Sequence, residues 1–352
     1  MSYTEEDILK ALMQVEDPDL HKDIVTLGMV RNLKLTETMV SFSVFLTTPA
    51  CPMKEVIENA CRTAIHHFVK MDLEIKIEMT SDVTSRKGDK SILPGVRNII
   101  AVASGKGGVG KSTVSANLAA YLAGTGATVG LLDADIYGPS IPTMFGISGP
   151  VEMIESVGRK LMLPVEKNGI KLFSIGLLSR PDEAIVWRGP MVSSAIKQFV
   201  NDVHWGELDY LIIDMPPGTG DVQITISQMI PLNGVVIITT PQDVAIADAR
   251  KAMAMFRMPA INVKILGVIE NMSYFSPPDQ PNLKYKIFGE GGAEKLCTEF
   301  NTDLLGSLPI NAELCEASDN GSTTSGSYVN NLFSEITANL ARKVSISNSL
   351  VI

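Results

Sequence analysis

The sequence has little of what a disulfide scaffold, a membrane span or a nucleic-acid-binding surface requires. Only four of its 352 residues are cysteines, too few for a disulfide framework in a chain of this size. The apolar runs, such as YLIID and VVIITT, are far shorter than the ~18 residues that a spanning helix needs. Acidic residues outnumber basic ones by 39 to 30, so the chain lacks an overall basic surface. We therefore expect a cytoplasmic protein that binds neither membrane nor nucleic acid.

The residues that are present indicate two domains. A hydrophobic content of 45% in 352 residues is ample for a large core, and the length exceeds one typical domain. Helical periodicity from Thr4 to Val15 is followed by strand-like VRNLKL and MVSFSVFL, a second helical stretch and the alternating LEIKIEM. Residues 1–80 therefore predict a small α+β domain. The polar stretch 81–96 predicts a linker.

Residues 97–352 have a different sequence pattern, in which short apolar strands alternate with helical segments. The predicted strands are NIIAVA, TVGLLD, YLIID, VVIITT, VKILGVIEN and DLLGSLP. Strands that are apolar on both faces belong to a parallel sheet covered by helices. We expect a doubly wound, mostly parallel α/β domain that closes with a helix over YVNNLFSEITANLARKV, residues 328–344.

One glycine-rich segment carries a phosphate-binding pattern. Residues 105–112 satisfy G-x-x-x-x-G-K-[ST], between the strand NIIAVA and the helix STVSANLAAYLA. Glycines let the backbone N–H groups turn inward around phosphates, Lys111 reaches the β- and γ-phosphates, and Ser112 ligates Mg²⁺. The expected ATP-binding residues of this loop are Gly105, Lys106, Gly107, Gly108, Val109, Gly110, Lys111, Ser112 and Thr113.

Carboxylates follow two of the predicted strands, where open α/β sheets bind ligands. Asp214 ends YLIID and precedes MPPGTGD, in which Gly218 could offer its N–H to the γ-phosphate. Asp133 and Asp135 lie in DADIYGPS, where one carboxylate could orient the attacking water. We expect Ser112, Asp135 and Asp214 to hold Mg²⁺ and Asp135 to be catalytic. The alternative for each aspartate is to cap the following helix.

Six segments together resemble a known family. KGGVGKST, DADIYGPS, RGPM, IIDMPPGTGD, TTPQDVAIADARK and ENMSYF resemble the Mrp/ApbC-type P-loop ATPases, iron–sulfur cluster carriers related to the MinD and ParA deviant-Walker ATPases. The resemblance covers residues 97 to about 342. Residues 1–80 resemble the iron–sulfur assembly module often fused in front of such ATPases, at DPDL, LGMV and TTPACP. The resemblance to these ATPases implies slow, dimer-coupled ATP hydrolysis. That hydrolysis would assist cluster assembly or transfer to apo iron–sulfur proteins or scaffold proteins.

The resemblance also implies roles for particular residues. Lys106 would reach across a nucleotide-sandwich homodimer to the phosphates bound by the other subunit, acting in trans beside the catalytic Lys111 and Asp135. Asn271 of ENMS and the loop after Pro241 would hold the adenine. Arg188 in WRGPM is a landmark of the family to which the sequence assigns no role.

The sequence departs from the family where a C-x-x-C pair usually follows ENMSYF. Here residues 276–279 read Ser-Pro-Pro-Asp, and neither a hydroxyl nor one carboxylate replaces thiolates well in an iron–sulfur site. Cys51 in TTPACP lies at a strand-to-helix junction, where a helix N-terminus would lower its pKa. A reactive or metal-binding Cys51 and a structural one are equally compatible with the sequence. If a cluster binds, we expect it to be labile and to depend on Cys51.

Two other functions are compatible with the same loop. A spatial organiser of the MinD or ParA kind would bind a membrane or nucleoid when loaded with ATP, but the C-terminal ARKVSISNSLVI has few basic residues for membrane targeting. A small-molecule kinase or ligase would need a dedicated acceptor for ATP turnover.

Overall fold

The computed structural model describes residues 3–85, 92–156, 158–178, 189–323 and 327–349. The chain divides into two compact units, Met1–Ser85 with Ala341–Ile352, and Arg86–Leu340. The helices are α1 Glu5–Leu12, α2 Lys54–Phe68, α3 Lys111–Gly124, α4 Ile141–Met144, α5 Gly189–Asp202, α6 Asp221–Met229, α7 Asp243–Phe256, α8 Gly292–Glu299, α9 Ala312–Asp319 and α10 Ser327–Ser349. The strands are β1 Glu16–Asp17, β2 Lys22–Asp23, β3 Val30–Leu35, β4 Met39–Leu46, β5 Glu74–Ser81, β6 Val96–Ser104, β7 Val129–Asp133, β8 Met153–Ser156, β9 Arg159–Met162, β10 Val165–Lys167, β11 Ile170–Ser174, β12 Leu208–Asp214, β13 Gly234–Thr239, β14 Ile265–Glu270 and β15 Leu304–Ser307.

The first unit packs α1 and α2 with a three-stranded sheet of order β3-β4-β5. Strands β3 and β4 are antiparallel, whereas β5 returns parallel to β4 after the crossover helix α2. Helix α1 begins at a capping box in which Thr4 and Asp7 each bond the other's backbone N–H. It ends at Leu12, short of the predicted Val15, and the brief β1–β2 hairpin follows.

The second unit is built on an eight-stranded sheet of order β10-β11-β7-β12-β6-β13-β14-β15. Every neighbouring pair is parallel except the antiparallel edge pair β10–β11. Strands β7, β13 and β14 are buried at every position, as expected when helices cover both faces. The predicted doubly wound, mostly parallel α/β fold is therefore confirmed.

The structure adds strands that the sequence did not predict. Strand β11 extends the parallel sheet beside β7, and β10 and the β8–β9 hairpin precede it. Strands β8, β9 and β10 have only three or four residues each and mix apolar with charged or polar residues, so no apolar run marks them. The closing helix also runs longer than predicted, from Ser327 to Ser349.

The end of α10 makes its contacts within the first unit. Arg342 forms an ion pair with Asp19, and Asn348 Nδ2 donates to the Thr84 carbonyl at 2.9 Å. The last residues of the chain thus group with the first unit, and the domain bounds of 1–80 and 97–352 stay a prediction. Across the described part of the chain, none of the helices combines the length and apolarity required to cross a bilayer.

Candidate nucleotide site

The candidate site begins where β6 ends and the chain turns into α3. Two glycines shape this loop. A Cβ on Gly105 would lie 2.1–2.4 Å from backbone atoms of Asp248 and Ala249 on α7, so only glycine permits this approach. Gly110 has φ of 81°, and a Cβ there would meet Asn271 Nδ2 at 2.2 Å. The loop is therefore held against two neighbouring elements through positions that exclude a side chain.

The loop encloses a cavity of about 230 Å³ at the carboxyl ends of the parallel strands. Its lining residues are Ser104, Lys106, Gly107, Gly108, Gly110, Lys111, Ser112, Thr113, Asp135, Ser140, Met144 and Pro217. The structure thus brings together most of the residues predicted from the phosphate-binding pattern. Ser140 and Met144 are additions that no sequence pattern marked.

Lys111, Ser112 and Asp214 form one hydrogen-bonded network beside the cavity. Lys111 Nζ lies 2.9 Å from Asp214 Oδ1, and its side chain is only 6% exposed. Ser112 Oγ donates to Asp214 Oδ2 at 2.6 Å and accepts from Lys111 Nζ at 3.2 Å. The hydroxyl and carboxylate predicted to hold Mg²⁺ are therefore adjacent.

Asp214 has a further partner that sequence reasoning missed. Ser115 is fully buried on α3, and its Oγ lies 2.7 Å from Asp214 Oδ1. Ser115 follows Lys111 by four residues, so both side chains lie on one face of the helix. Strand β6, which leads into the loop, pairs in parallel with β12, which ends at Asp214. The four-residue spacing from Lys111, together with this pairing, is the signal that could have identified Ser115.

The two aspartates after β7 differ in what they contact. Asp135 lines the cavity, and its Oδ2 lies 3.5 Å from Lys111 Nζ. Burial raises the pKa of Asp135, while the charge of Lys111 opposes the rise. Asp133 is fully buried and accepts hydrogen bonds from the backbone N–H groups of Asp135 and Ile141 and from Ser174 Oγ.

The contacts of Asp133 indicate a structural role beside the site. Burial, with the nearby charge of Asp214, raises the pKa of Asp133 to about 7 against the effect of its donors. Its side chain links the end of β7 by hydrogen bonds to β11 and to the start of α4. Asp133 does not line the cavity. Of the two candidates, Asp135 is thus the one that faces the space where a nucleotide phosphate would lie.

Lys106 and Gly218 are two further residues that the sequence predicted to contact phosphates. Lys106 lines the cavity with a half-buried side chain and forms no ion pair with the described residues. Gly218 takes φ of 98°, and its N–H donates to the Ser104 carbonyl at 2.9 Å. Because this N–H is already used, the contact with a γ-phosphate expected from the sequence requires the loop to release Ser104.

Asn271 contacts the phosphate loop from the end of β14. Its Nδ2 donates to the Val109 carbonyl at 2.9 Å, and its Oδ1 accepts from the Met272 N–H at 2.9 Å. Asn271 does not line the cavity, and its amide braces the loop in this structure. The adenine contact implied by the family resemblance stays a prediction.

The prediction of a lowered pKa for Cys51 is wrong. Helix α2 begins only at Lys54, and Cys51 is half-buried before it. Burial raises the pKa of the Cys51 thiol, and the negative charges of Asp17 and Asp19 raise it further. The thiolate form is therefore disfavoured at neutral pH.

The remaining cysteines add no evident metal site. Burial raises the pKa of Cys61 to about 12 and that of Cys297 to about 11, which fits inert thiols in the core. The residues that the structure describes contain no cluster of three or more His, Cys, Asp or Glu side chains able to hold a metal ion. Arg188 lies outside the described residues. Ser276, in the place of the usual C-x-x-C pair, has a buried Oγ without a hydrogen-bond partner.

The donor set suits a nucleotide with its magnesium ion. Mg²⁺ prefers oxygen ligands and usually keeps several waters, and Ser112 and Asp214 place a hydroxyl and a carboxylate side by side. Lys111 and the N-terminus of α3 supply positive potential at the cavity. Fold and site together define a P-loop NTPase.

Comparison with known proteins assigns the chain to a family within that class. Residues 95–345 match the family described as ParA, NUBPL iron-transfer P-loop NTPase, and residues 5–77 match the iron-sulfur cluster assembly protein family. The chain belongs to the NUBPL iron-transfer P-loop NTPase family, which confirms the resemblance found in the sequence.

Named relatives and solved structures agree with this assignment. The iron-sulfur cluster carrier protein of Synechocystis is 48% identical over 90% of this chain and 90% of its own. The Fe-S cluster assembly factor HCF101 of Arabidopsis thaliana is 43% identical over 90% of this chain and 59% of its own length. A nucleotide-binding protein from Archaeoglobus fulgidus, solved with ADP, is 39% identical with a TM-score of 0.56, over 66% of this chain and 89% of its own.

Proposed function

We propose that this chain binds MgATP at the loop of residues 105–113, hydrolyses it slowly as a homodimer, and assists iron–sulfur cluster assembly or transfer in the cytoplasm. The observation that carries the proposal is the network of Lys111, Ser112 and Asp214 beside the cavity, in a member of an iron-transfer NTPase family. We further propose that residues 1–80 act as an assembly-type domain, joined through 81–96 to the ATPase domain.

Within this proposal Lys111 and the loop amides bind the β- and γ-phosphates. Lys111 lines the cavity, where its Nζ is paired with Asp214 and lies 3.5 Å from Asp135. Bound Mg²⁺ would neutralise charge that develops on the phosphate oxygens. Ser112 and Asp214 supply oxygen atoms for that ion, and Asp135 is the third candidate ligand.

Asp135 and Lys106 take the catalytic roles. Asp135 orients the attacking water, and the charge of Lys111 favours its ionised form against the effect of burial. Lys106 supplies its charge to the phosphates bound by the partner subunit, which its lack of an ion pair among the described residues supports. Asn271 and the loop after Pro241 hold the adenine after the bond to Val109 rearranges.

A role in iron–sulfur cluster transfer has to be explained without the C-x-x-C pair that the family usually has. Residues 276–279 contain no cysteine, and the raised pKa of Cys51 disfavours its thiolate. We propose that a cluster on this chain is labile, depends on Cys51, and needs thiols from an apo iron–sulfur protein or a scaffold protein to complete its shell.

Two measurements test the proposed function. The first is ATP turnover by the whole chain and by Asp135→Asn, which should retain ATP binding but lose hydrolysis. The second is anaerobic reconstitution with iron and sulfide, followed by iron counting and transfer to an apo iron–sulfur enzyme with and without MgATP. The proposal predicts MgATP-dependent transfer. It is refuted if the chain neither hydrolyses ATP nor changes the rate of transfer; turnover that requires a small-molecule acceptor would instead support a kinase or ligase.

A further inference from the structure

The buried hydroxyl of Ser115 contacts the phosphate site without belonging to its motif. Ser115 Oγ lies 2.7 Å from Asp214 Oδ1 and 3.0 Å from the Lys111 carbonyl. A hydroxyl has a single proton to donate. The shorter contact, to a charged acceptor, takes that proton because charge-assisted hydrogen bonds are the stronger ones.

The two oxygens of the Asp214 carboxylate therefore have different partners. Oδ1 accepts from Ser115 and lies 2.9 Å from Lys111 Nζ, whereas Oδ2 accepts from Ser112 at 2.6 Å. Asp214 is fully buried, so water does not replace a lost donor. A partial rotation about the Cβ–Cγ bond would turn both oxygens away from these partners, and the Ser115 hydrogen bond opposes that rotation.

We propose that Ser115 is a positioning residue that reserves Oδ1 of Asp214 and keeps Oδ2, beside the Ser112 hydroxyl, directed at the magnesium position. The inference rests on the proposed nucleotide function. Neither Ser115 nor Asp214 lines the cavity, but Asp214 Oδ2 accepts from the cavity-lining Ser112, so the effect of Ser115 on the ion passes through Asp214 to that position. Hydrogen-bond partners of metal-ligating carboxylates commonly control metal affinity in this way.

The test is calorimetric titration of ADP into the whole chain at a series of Mg²⁺ concentrations. In Ser115→Ala, ADP affinity without Mg²⁺ should stay within about twofold of wild type, because the loop and Lys111 are untouched. The Mg²⁺ concentration that gives half of the increase in ADP affinity should rise about 10-fold. Ser115→Cys, of similar volume but a weaker donor, should fall between the two.

The chain offers a matched control in Ser227. It is also a buried helical serine, and its Oγ donates to the Gln223 carbonyl at 2.7 Å rather than to Asp214. Ser227→Ala should leave both ADP affinity and its Mg²⁺ dependence unchanged.

Three results would overturn the inference. A wild-type Mg²⁺ dependence in Ser115→Ala shows that Asp214 needs no such support. An equal loss of ADP affinity with and without Mg²⁺ shows a merely structural role. If Mg²⁺ does not strengthen ADP binding even in the wild type, the proposed nucleotide function fails along with the inference.

Discussion

Replacing Lys111 by methionine should destabilise the second unit as well as remove nucleotide binding. The Lys111 side chain is 6% exposed and lies 2.9 Å from Asp214, which is fully buried, and 3.5 Å from Asp135. Methionine keeps most of the volume but leaves two carboxylates without their cation. Removing one partner of a buried ion pair typically costs about 3–5 kcal/mol, and we expect a loss in that range near pH 8.

The loss of unfolding free energy in Lys111→Met should depend on pH. Burial already raises the pKa of Asp135 in the folded wild type, and without the opposing charge of Lys111 it rises further above that of the unfolded chain. The folded state then binds more protons than the unfolded state, so the variant loses stability as pH rises from the unfolded to the folded pKa. The deficit relative to wild type should therefore be smaller at pH 5.5 than at pH 8.

Urea unfolding followed by tryptophan fluorescence measures this effect, because Trp205 is buried in the core of the second unit. Lys251→Met is the matched control. Lys251 is 71% exposed and pairs with Asp248 at 3.2 Å, so its loss should cost less than about 1 kcal/mol. A Lys111→Met variant as stable as wild type at pH 8 would refute the account of Lys111 as the counter-ion of the buried carboxylates.

Three further substitutions test other parts of the site. Lys106→Ala should still bind ATP in a calorimetric titration, but hydrolysis and ATP-dependent dimerisation measured by light scattering should fall together; unchanged dimerisation would contradict a role in trans. Asn271→Ala removes the proposed adenine contact, and one hydrogen bond is worth about 1 kcal/mol, so ADP affinity should fall about fivefold; unchanged affinity would contradict the adenine role. Gly105→Ala forces a Cβ against the backbone of α7 and should cost about 1–3 kcal/mol of unfolding free energy, whereas Gly124→Ala, with no atom near the added Cβ, should not destabilise the chain.

Local patterns in the sequence predicted the parts of this protein that neighbouring residues determine. The glycine spacing and Lys111 and Ser112 occur within one continuous segment, so the loop could be identified without knowledge of packing. The apolar strands predicted a parallel sheet, because burial of both faces leaves a run in the sequence. Strand β10 left no such run, since its three residues are half-buried or exposed and it is defined by pairing with β11.

Tertiary packing decided the contacts between residues that are distant in the chain. Ser115 and Asp214 are 99 positions apart, and Asn271 and Val109 are 162 apart, so no local pattern joins them. The pKa of Cys51 depends on its burial and on acidic side chains that approach it in the fold, which reverses the direction predicted from its place before α2. Periodicity and motif spacing record the conformation of a segment, but hydrogen-bond geometry and electrostatic environment arise only when separate segments pack together.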